Sequence, residues 1–202
     1  MGLRQVRQVS KWHSFFAIAM PLALLAVGIQ AGGPEVRDAL AWQRTGLAAG
    51  EFWRLLTGHL AHLGWSHLTY NLAGMALIGW LVGPAFNLLR WLGIVLASVL
   101  AIDLGFWFLS PELAWYVGLS GVLHGLLAAG IVAGLFARDR EALVLAVFIA
   151  AKLAWEQWAG PIPGSESATG GAVIVDAHLY GAVGGLLAAV ALRRRVPPRA
   201  SI

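Results

Sequence analysis

The sequence contains no cysteine and few charged residues. The lack of cysteine among 202 residues excludes a disulfide framework and a metal site with thiolate ligands. Charged residues make up 12% of the chain, about half of the share that is usual in soluble domains. So little charge cannot cover the surface of a water-soluble domain, and 59% of the residues are hydrophobic. The composition therefore excludes soluble and disordered proteins and indicates a membrane protein.

Six hydrophobic segments account for most of the chain. A spanning helix uses about 20 apolar residues, so six of them leave no room for a second domain. No internal repeat or low-complexity tract is present. We predict an all-α, polytopic membrane protein in which residues 1–202 form a single six-helix domain. The predicted helices cover about residues 15–33, 67–82, 88–109, 120–137, 142–158 and 171–192.

The basic residues predict the orientation of these helices. With a cytoplasmic N-terminus, ten of the 14 Lys and Arg residues face the cytoplasm and three face the outside, so both termini are predicted to be cytoplasmic. A cleaved signal peptide is an alternative for the first segment, but the segment is long for one and no A-x-A site follows it. The ten residues are Arg4, Arg7, Lys11, Arg90, Arg138, Arg140, Arg193, Arg194, Arg195 and Arg199.

The one long connection, residues 34–66, is predicted to lie outside the membrane. Its stretch Glu51–Leu56 combines aromatic, apolar and basic residues, including Trp53 and Arg54. This pattern is typical of a helix lying in the outer interface, and equally of an ordinary belt of interfacial aromatic residues.

Ser120 stands between Gly118 and Gly121 at a predicted loop-to-helix boundary. A serine at this position can simply cap the helix. It can also act as a nucleophile, because free N–H groups and the helix dipole at a helix start favour a developing oxyanion. Gly121 and Gly125 also form a face of small residues at which another helix can approach closely.

Two histidines are candidate general bases for Ser120. His178 lies beside a second face of small residues, Gly181 and Gly185, so it can project toward a closely packed neighbouring helix. His124 is four residues after Ser120 and shares its helix face. Spacing alone does not decide between them, and either histidine can also serve packing only.

His67 and Asn71 lie on one face at the start of the second helix, because they are separated by four residues. Both side chains can donate hydrogen bonds. They therefore suit an oxyanion hole, and they equally suit capping and helix packing.

The remaining polar residues are assigned structural roles. Lys152 and Glu156 are four residues apart in an apolar helix, which predicts an intrahelical ion pair. Asp103 and Asp176 are expected near the outer interface without a partner. A metal cluster of His59, His62 and His67 is disfavoured because no carboxylate or cysteine completes it at a familiar spacing, so neither a metal nor a cofactor is expected.

The order of these motifs along the chain is more specific than any one of them. Taken together, they resemble the rhomboid family of intramembrane serine proteases over about residues 51–192. The motifs are Trp53-Arg54 in the first loop, His67-x-x-x-Asn71, Gly118-x-Ser120-Gly121, and Ala177-His178-x-x-Gly181-x-x-Gly184.

The resemblance implies a six-helix core and a Ser–His dyad without a catalytic acid. It assigns Ser120 as nucleophile, His178 as general base, and His67 and Asn71 as oxyanion donors. The position of His124 commonly carries an aromatic residue beneath the catalytic histidine, so the family favours His178 as base. Trp53, Arg54, Gly118, Gly121 and Gly181 match structural positions of the motifs.

The strings GLSGVLHG and AHLYGAVGG look like those of a narrower subfamily, rhombosortase. This likeness implies an enzyme of a bacterial inner membrane with a site facing the periplasm. Its partners would be membrane-anchored proteins whose C-terminal anchor comprises Gly-Gly, a hydrophobic helix and a basic tail. Asp176 departs from the family pattern, and helical geometry points it away from His178.

Two other functions are compatible with a polytopic membrane protein. A catalytically inactive rhomboid-like protein would bind or escort membrane clients, but such proteins usually lose one of the four motif side chains that are intact here. A small transporter would need inverted repeats, and the sequence contains none.

Overall fold

A computed structural model describes residues 3–192, with side chains described from residue 12 onward. Within these residues the chain is almost entirely helical, with one short pair of strands and a 3₁₀ turn at Gly83–Ala85. The elements are α1 (Leu3–Ala31), α2 (Gly33–Leu40), β1 (Trp42–Gln43), α3 (Arg44–Ala48), α4 (Arg54–Thr57), α5 (Trp65–Val82), α6 (Leu88–Phe108), β2 (Trp115–Tyr116), α7 (Ser120–Phe136), α8 (Arg140–Ala159), α9 (Ser165–Thr169) and α10 (Val175–Ala191).

The all-α prediction is confirmed, and each predicted hydrophobic segment coincides with one of the helices α1, α5, α6, α7, α8 and α10. Within the described part of the chain, four helices, α1, α5, α6 and α8, have the length and hydropathy to cross a membrane. The apolar helices α7 and α10 have 17 residues each. That length corresponds to about 25 Å, slightly less than the hydrocarbon core of about 30 Å.

Two helix boundaries differ clearly from the prediction. Helix α1 begins at Leu3 rather than near residue 15, because the polar residues before the apolar run are themselves compatible with a helix. Helix α10 begins at Val175 rather than near residue 171. Gly170 there adopts a φ of +84° and Ile174 is extended, so the chain between them cannot continue a helix.

The helices α7 and α10 approach so closely that only glycine fits between them. A Cβ atom on Gly181 would collide with the carbonyl oxygen of Gly121, and one on Gly185 would collide with that of Gly125. The predicted faces of small residues therefore meet each other. We call this contact the glycine seam, defined by Gly121, Gly125, Gly181 and Gly185. It fixes the distance between the two helices that carry Ser120 and His178.

The first outer loop is held by polar contacts to the backbone. Strand β1 pairs antiparallel with β2, with Trp42 opposite Tyr116. Arg44 donates to the carbonyl oxygen of Phe106 at 2.6 Å, in the last turn of α6 where carbonyls lack helical partners, and to that of Ser110 just beyond the helix at 3.0 Å. The loop is thereby tied to the far end of α6.

The predicted interfacial helix over Glu51–Leu56 is only partly present, since α4 begins at Arg54. Trp53 is exposed, as an interfacial aromatic residue would be, but Arg54 is only 7% exposed. Its guanidinium points inward and donates to the carbonyl oxygens of Asp38 at 2.9 Å and Ala41 at 2.7 Å, and it pairs with Glu51. The carbonyl groups at the C-terminal end of α2, which lack partners within the helix, explain why this cation is buried.

The described basic residues of the predicted cytoplasmic side lie at one end of the helices. Arg90 is near the start of α6, Arg138 lies between α7 and α8, and Arg140 is the first residue of α8. This is the end opposite to Ser120. Arg193, Arg194, Arg195 and Arg199 lie outside the described residues, as do the side chains of Arg4, Arg7 and Lys11.

Candidate active site

Three helix starts meet at one end of the bundle. Helices α5, α7 and α10 all begin there, so His67, Ser120 and His178 come together although more than 50 residues separate each from the next in the chain. Together with Asn71 they line a cavity of about 280 Å³. The structure therefore brings all four predicted chemical residues to one place.

Ser120 is the first residue of α7, and Leu119 occupies the capping position. No side chain caps this helix, so the hydroxyl of Ser120 is not used as a cap. Its Oγ lies 3.0 Å from His178 Nε2. The turn before it needs Gly118, whose φ is +137° and on which a Cβ atom would lie only 2.9 Å from the ring of His67.

His178 is buried, with 6% of its surface exposed, and has partners on both ring nitrogens. While Nε2 faces Ser120, Nδ1 lies 3.0 and 3.1 Å from the two carboxylate oxygens of Glu156. The ammonium of Lys152 is 2.7 Å from one of these oxygens, which confirms the predicted ion pair, and 3.3 Å from Nδ1. The imidazole thus connects the hydroxyl on α7 to a pair of charges on α8.

His124 occupies a different position from the one that a base for Ser120 needs. Its Nδ1 donates to the backbone carbonyl of Ser120 at 2.8 Å rather than to the hydroxyl. Its ring stacks on that of His178, with centroids 4.2 Å apart and planes 18° apart. Of the two candidate bases left open by spacing, His178 is therefore the one with a ring nitrogen, Nε2, facing Ser120 Oγ.

His67 and Asn71 offer hydrogen-bond donors on the α5 wall of the cavity. His67 Nδ1 accepts from the N–H of Leu63 at 3.4 Å, so a neutral His67 carries its proton on Nε2, the nitrogen near Gly118. Asn71 Nδ2 donates to the carbonyl of His67 at 3.1 Å and keeps a second N–H. His62 packs edge to face against His67, with ring planes 71° apart, and burial together with His67 lowers the pKa of His62 to about 4, so His62 is neutral at pH 7.

The two aspartates that were expected to be unpaired both have partners. Asp103 lies 3.3 Å from His59 Nε2, and Asp176 accepts from Ser110 Oγ at 2.7 Å. Asp103 is buried and Asp176 is partly buried, and an unpaired carboxylate away from water is costly, which explains the pairing. Asp176 thus lies against Ser110, and His178 has its carboxylate from α8.

Among the residues that the structure describes, the group whose metal-ligand atoms lie together is His124, Glu156 and His178, within 4.8 Å of one another. The ammonium of Lys152 contacts the same carboxylate and would repel a divalent cation. His59, His62 and His67 face different partners: Asp103, the carbonyl of Leu60 and the N–H of Leu63.

The contact between Glu156 and His178 is the feature that sequence reasoning missed. Two ionisable residues in an apolar helix were the available signal, since such residues usually face the interior of the bundle. Because Lys152 and Glu156 are four residues apart, each charge already had a partner on the same helix, and a contact with a third residue was not predicted.

The arrangement has the parts needed for acyl transfer. A serine hydroxyl lies within hydrogen-bond reach of an imidazole that can accept its proton. The N–H of Ser120 at the start of α7 has no partner within the helix and is available to an oxyanion, as are donors of His67 and Asn71.

Comparison with known proteins identifies a related family. A family model for the Rhomboid domain matches residues 49–195, a range that includes Trp53, Arg54 and every residue of the cavity named above. The chain is also similar to a protein of Bacillus subtilis (strain 168) named "Putative rhomboid protease YdcA". The two are 27% identical over 151 residues, which cover 75% of this chain and 72% of that protein.

Proposed function

The chain belongs to the rhomboid family, and on this premise we propose that it is a serine-type intramembrane endopeptidase with Ser120 as its nucleophile and His178 as its general base. Family membership and the similarity to a protein named as a rhomboid protease support a hydrolase that acts on membrane proteins. The single observation that carries the serine mechanism is the 3.0 Å approach of Ser120 Oγ to His178 Nε2 in a cavity that His67 and Asn71 also line.

In the proposed reaction, Ser120 Oγ attacks the carbonyl carbon of the client peptide bond while its proton passes to His178 Nε2. The same imidazolium then gives this proton to the leaving amine. Water finally hydrolyses the acyl-enzyme, again with His178 as base. The glycine seam supports this role because it holds the two helices at a fixed separation.

The oxyanion of the tetrahedral intermediate would be bound by three kinds of donor. These are the N–H of Ser120 at the start of α7, the second amide N–H of Asn71 and the Nε2–H of His67. The positive end of the α7 dipole adds to their effect. The proposed donors come from two helices, so the substrate carbonyl would lie between α5 and α7.

We place the enzyme in a bacterial inner membrane with both termini in the cytoplasm and the cavity toward the periplasm. The described basic residues Arg90, Arg138 and Arg140 lie at the opposite end from Ser120, which supports this orientation by the positive-inside rule. The short helices α7 and α10 would put the cavity at or slightly below the outer membrane boundary.

The proposed clients are secreted proteins whose C-terminal anchor has a Gly-Gly pair, a spanning helix and a basic tail, as for rhombosortases. Helical backbone is protected from proteolysis by its own hydrogen bonds. Each glycine weakens a helix by roughly 1 kcal/mol relative to alanine, so a Gly pair near the boundary can unwind into the cavity. The basic tail would keep the anchor oriented with its C-terminus inside.

Labelling by a serine-directed fluorophosphonate tests the proposed mechanism. The detergent-solubilised wild type should be modified at Ser120, which peptide mass spectrometry would locate, and Ser120→Ala should not be labelled. The substitution should leave thermal stability almost unchanged, because Ser120 is not the cap of α7. A folded wild-type protein that the probe does not modify, or a Ser120→Ala variant that still cleaves clients, would refute the serine mechanism.

Client choice needs a separate test. A reporter with a Gly-Gly anchor is co-expressed with wild type or with Ser120→Ala, and the released C-terminus is determined by mass spectrometry. We expect release only with wild type, and a strong decrease when both glycines are replaced by leucine. Release at an unchanged rate from the leucine reporter would refute the Gly-Gly preference and leave the serine mechanism standing.

A further inference from the structure

Glu156 is a buried carboxylate on a helix that otherwise buries little. Of the 20 residues of α8, only Ala142, Ile149 and Glu156 are buried, and Glu156 is 3% exposed. Both of its oxygens face His178 Nδ1, at 3.0 and 3.1 Å. A carboxylate that only balanced Lys152 would gain nothing from turning both oxygens toward an imidazole on another helix.

This contact selects one tautomer of the imidazole. An ionised carboxylate can only accept hydrogen bonds, so Nδ1 must carry the proton that it donates to Glu156. Nε2 then keeps a lone pair, and the hydroxyl of Ser120 is the donor across the 3.0 Å contact. This is the tautomer that a general base for Ser120 needs. The alternative tautomer would direct an N–H at the hydroxyl and could not accept its proton.

Lys152 affects the carboxylate of Glu156 in two ways: it lowers the cost of burying that charge, and it creates a need for the carboxylate beside Nδ1 of His178. Its ammonium lies 3.3 Å from Nδ1, and if it donated there the proton of a neutral imidazole would move to Nε2, the unproductive tautomer. The ammonium is closer to the carboxylate, at 2.7 Å, and its charge offsets that of Glu156 away from bulk water. The carboxylate therefore draws the cation away from the ring and keeps Nδ1 as a donor.

We propose that Glu156 is the positioning residue of a Ser120–His178–Glu156 triad, with Lys152 as the counterion of the carboxylate. The inference rests on the proposed serine mechanism and departs from the dyad that the family resemblance implies. During attack, the Ser120 proton moves to Nε2, and the resulting imidazolium keeps its Nδ1 proton hydrogen-bonded to Glu156. The carboxylate remains ionised throughout and orients and stabilises the imidazolium.

The competing explanation is that Glu156 only neutralises Lys152. A set of four variants separates the two: Glu156→Gln, Lys152→Met, the double Lys152→Met/Glu156→Gln, and Glu156→Asp. The double variant contains no unpaired buried charge, so it guards against loss of folding in Glu156→Gln, which leaves the ammonium alone. Glu141→Gln is the matched control, because Glu141 is an exposed glutamate at the other end of the same helix.

The measurement is the rate of fluorophosphonate labelling of the full-length protein in detergent as a function of probe concentration. This gives a limiting rate, which needs the base, and a half-saturating concentration, which reports probe binding. The triad predicts that Glu156→Gln and the double variant lower the limiting rate by roughly 10²–10⁴-fold, by analogy with the loss of an orienting carboxylate in serine proteases. The half-saturating concentration should change by less than about threefold, since the residue acts on chemistry.

Two further results sharpen the outcome. Glu156→Asp keeps the carboxylate on a shorter side chain, and its limiting labelling rate should be at least about tenfold higher than that of Glu156→Gln. If Glu156 only filled space, the isosteric Gln would instead be the better replacement. Glu141→Gln should label at the wild-type rate.

A double variant that labels as fast as wild type would overturn the triad, because charge neutralisation alone would then suffice. A Glu156→Gln variant with an unchanged limiting rate would do the same. Both results leave the serine mechanism intact, provided that wild type is labelled and Ser120→Ala is not. Absence of labelling in folded wild type would instead overturn the serine mechanism and the triad with it.

Discussion

Helices α10 and α8 both bring ionisable groups to the cavity, but they are attached to the bundle in different ways. Helix α10 meets α7 along the glycine seam, and its buried residues are small apart from His178. Helix α8 buries three residues and exposes large apolar side chains such as Val144, Val147 and Phe148. One helix is held by contact between backbones, and the other by a few side chains.

The difference separates the requirements of folding from those of the proposed chemistry. Close backbone packing is destroyed by any added side chain, so the seam should control stability as well as the position of His178. Apolar residues on the outer face of α8 are exposed and would face lipid. One such side chain can therefore be exchanged for another at little cost. Apart from the buried Ala142 and Ile149, only Glu156 and Lys152 should make α8 sensitive to substitution.

The largest effect is expected at the imidazole on α10. His178→Ala should lower the labelling rate of Ser120 to the background of Ser120→Ala, because no other nitrogen faces the hydroxyl among the described side chains. The double variant Ser120→Ala/His178→Ala should be no less active in client cleavage than Ser120→Ala or His178→Ala alone, since members of one catalytic unit are not additive. Substantial activity in His178→Ala together with an inactive His124→Phe would assign the base to His124.

The glycine seam should give the next largest effect, measured as thermal stability in detergent. Gly181→Ala adds a Cβ against the carbonyl of Gly121 and should destabilise the protein by about 1–3 kcal/mol. Gly28→Ala on α1 is the matched control, because nothing lies within 4 Å of its added Cβ, and it should be neutral or stabilising. Equal stability of the two variants would show that α7 and α10 can separate at no cost, and that close backbone contact does not hold α10 in the bundle.

Helix α5 forms the third wall of the cavity, and substitution of its donor Asn71 should affect the reaction rate rather than binding. Asn71→Ala removes a proposed oxyanion donor and should lower the limiting labelling rate by up to about 10²-fold, with little change in half-saturating probe concentration. A variant with an unchanged limiting rate and weaker binding of a client would assign Asn71 to recognition instead.

Replacement of the stacked histidine should have a small effect. His124→Phe keeps an aromatic ring against His178 and loses only the hydrogen bond to the carbonyl of Ser120, so activity should stay within about tenfold of wild type. His124→Ala removes the stacked ring and is expected to be slower than His124→Phe. The reverse order of the two rates would mean that the ring is not what positions His178.

The outer face of α8 should give the smallest effect. Phe148→Ala removes a side chain that is 69% exposed and should change stability by no more than about 0.5 kcal/mol. Phe106→Ala is the matched buried substitution, with Phe106 0% exposed, and should cost about 3–5 kcal/mol. Comparable losses for the two would mean that the outer face of α8 is covered by something other than lipid or detergent.

The parts of the fold that were predictable are those that depend on local composition. Apolar runs locate the helices, and the ends of α6 and α7 agree with prediction to within about two residues, the usual uncertainty of a helix end. The start of α10 was misplaced because Gly170 takes a left-handed turn that apolar composition does not reveal. Arg54 was expected at the surface, since its burial depends on carbonyl groups 13 to 16 residues away.

The sequence by itself determined the membrane class, the helical segments and the candidate residues Ser120, His178, His67 and Asn71. Glycine spacing also predicted that helices would meet at close range. Tertiary structure alone decided which histidine nitrogen faces Ser120 Oγ and which carboxylate faces the other side of that ring. The physical reason is that helical spacing relates side chains on one face of one helix. The partners of His178 come from α7 and α8, and only the packing of those helices sets the distances between them.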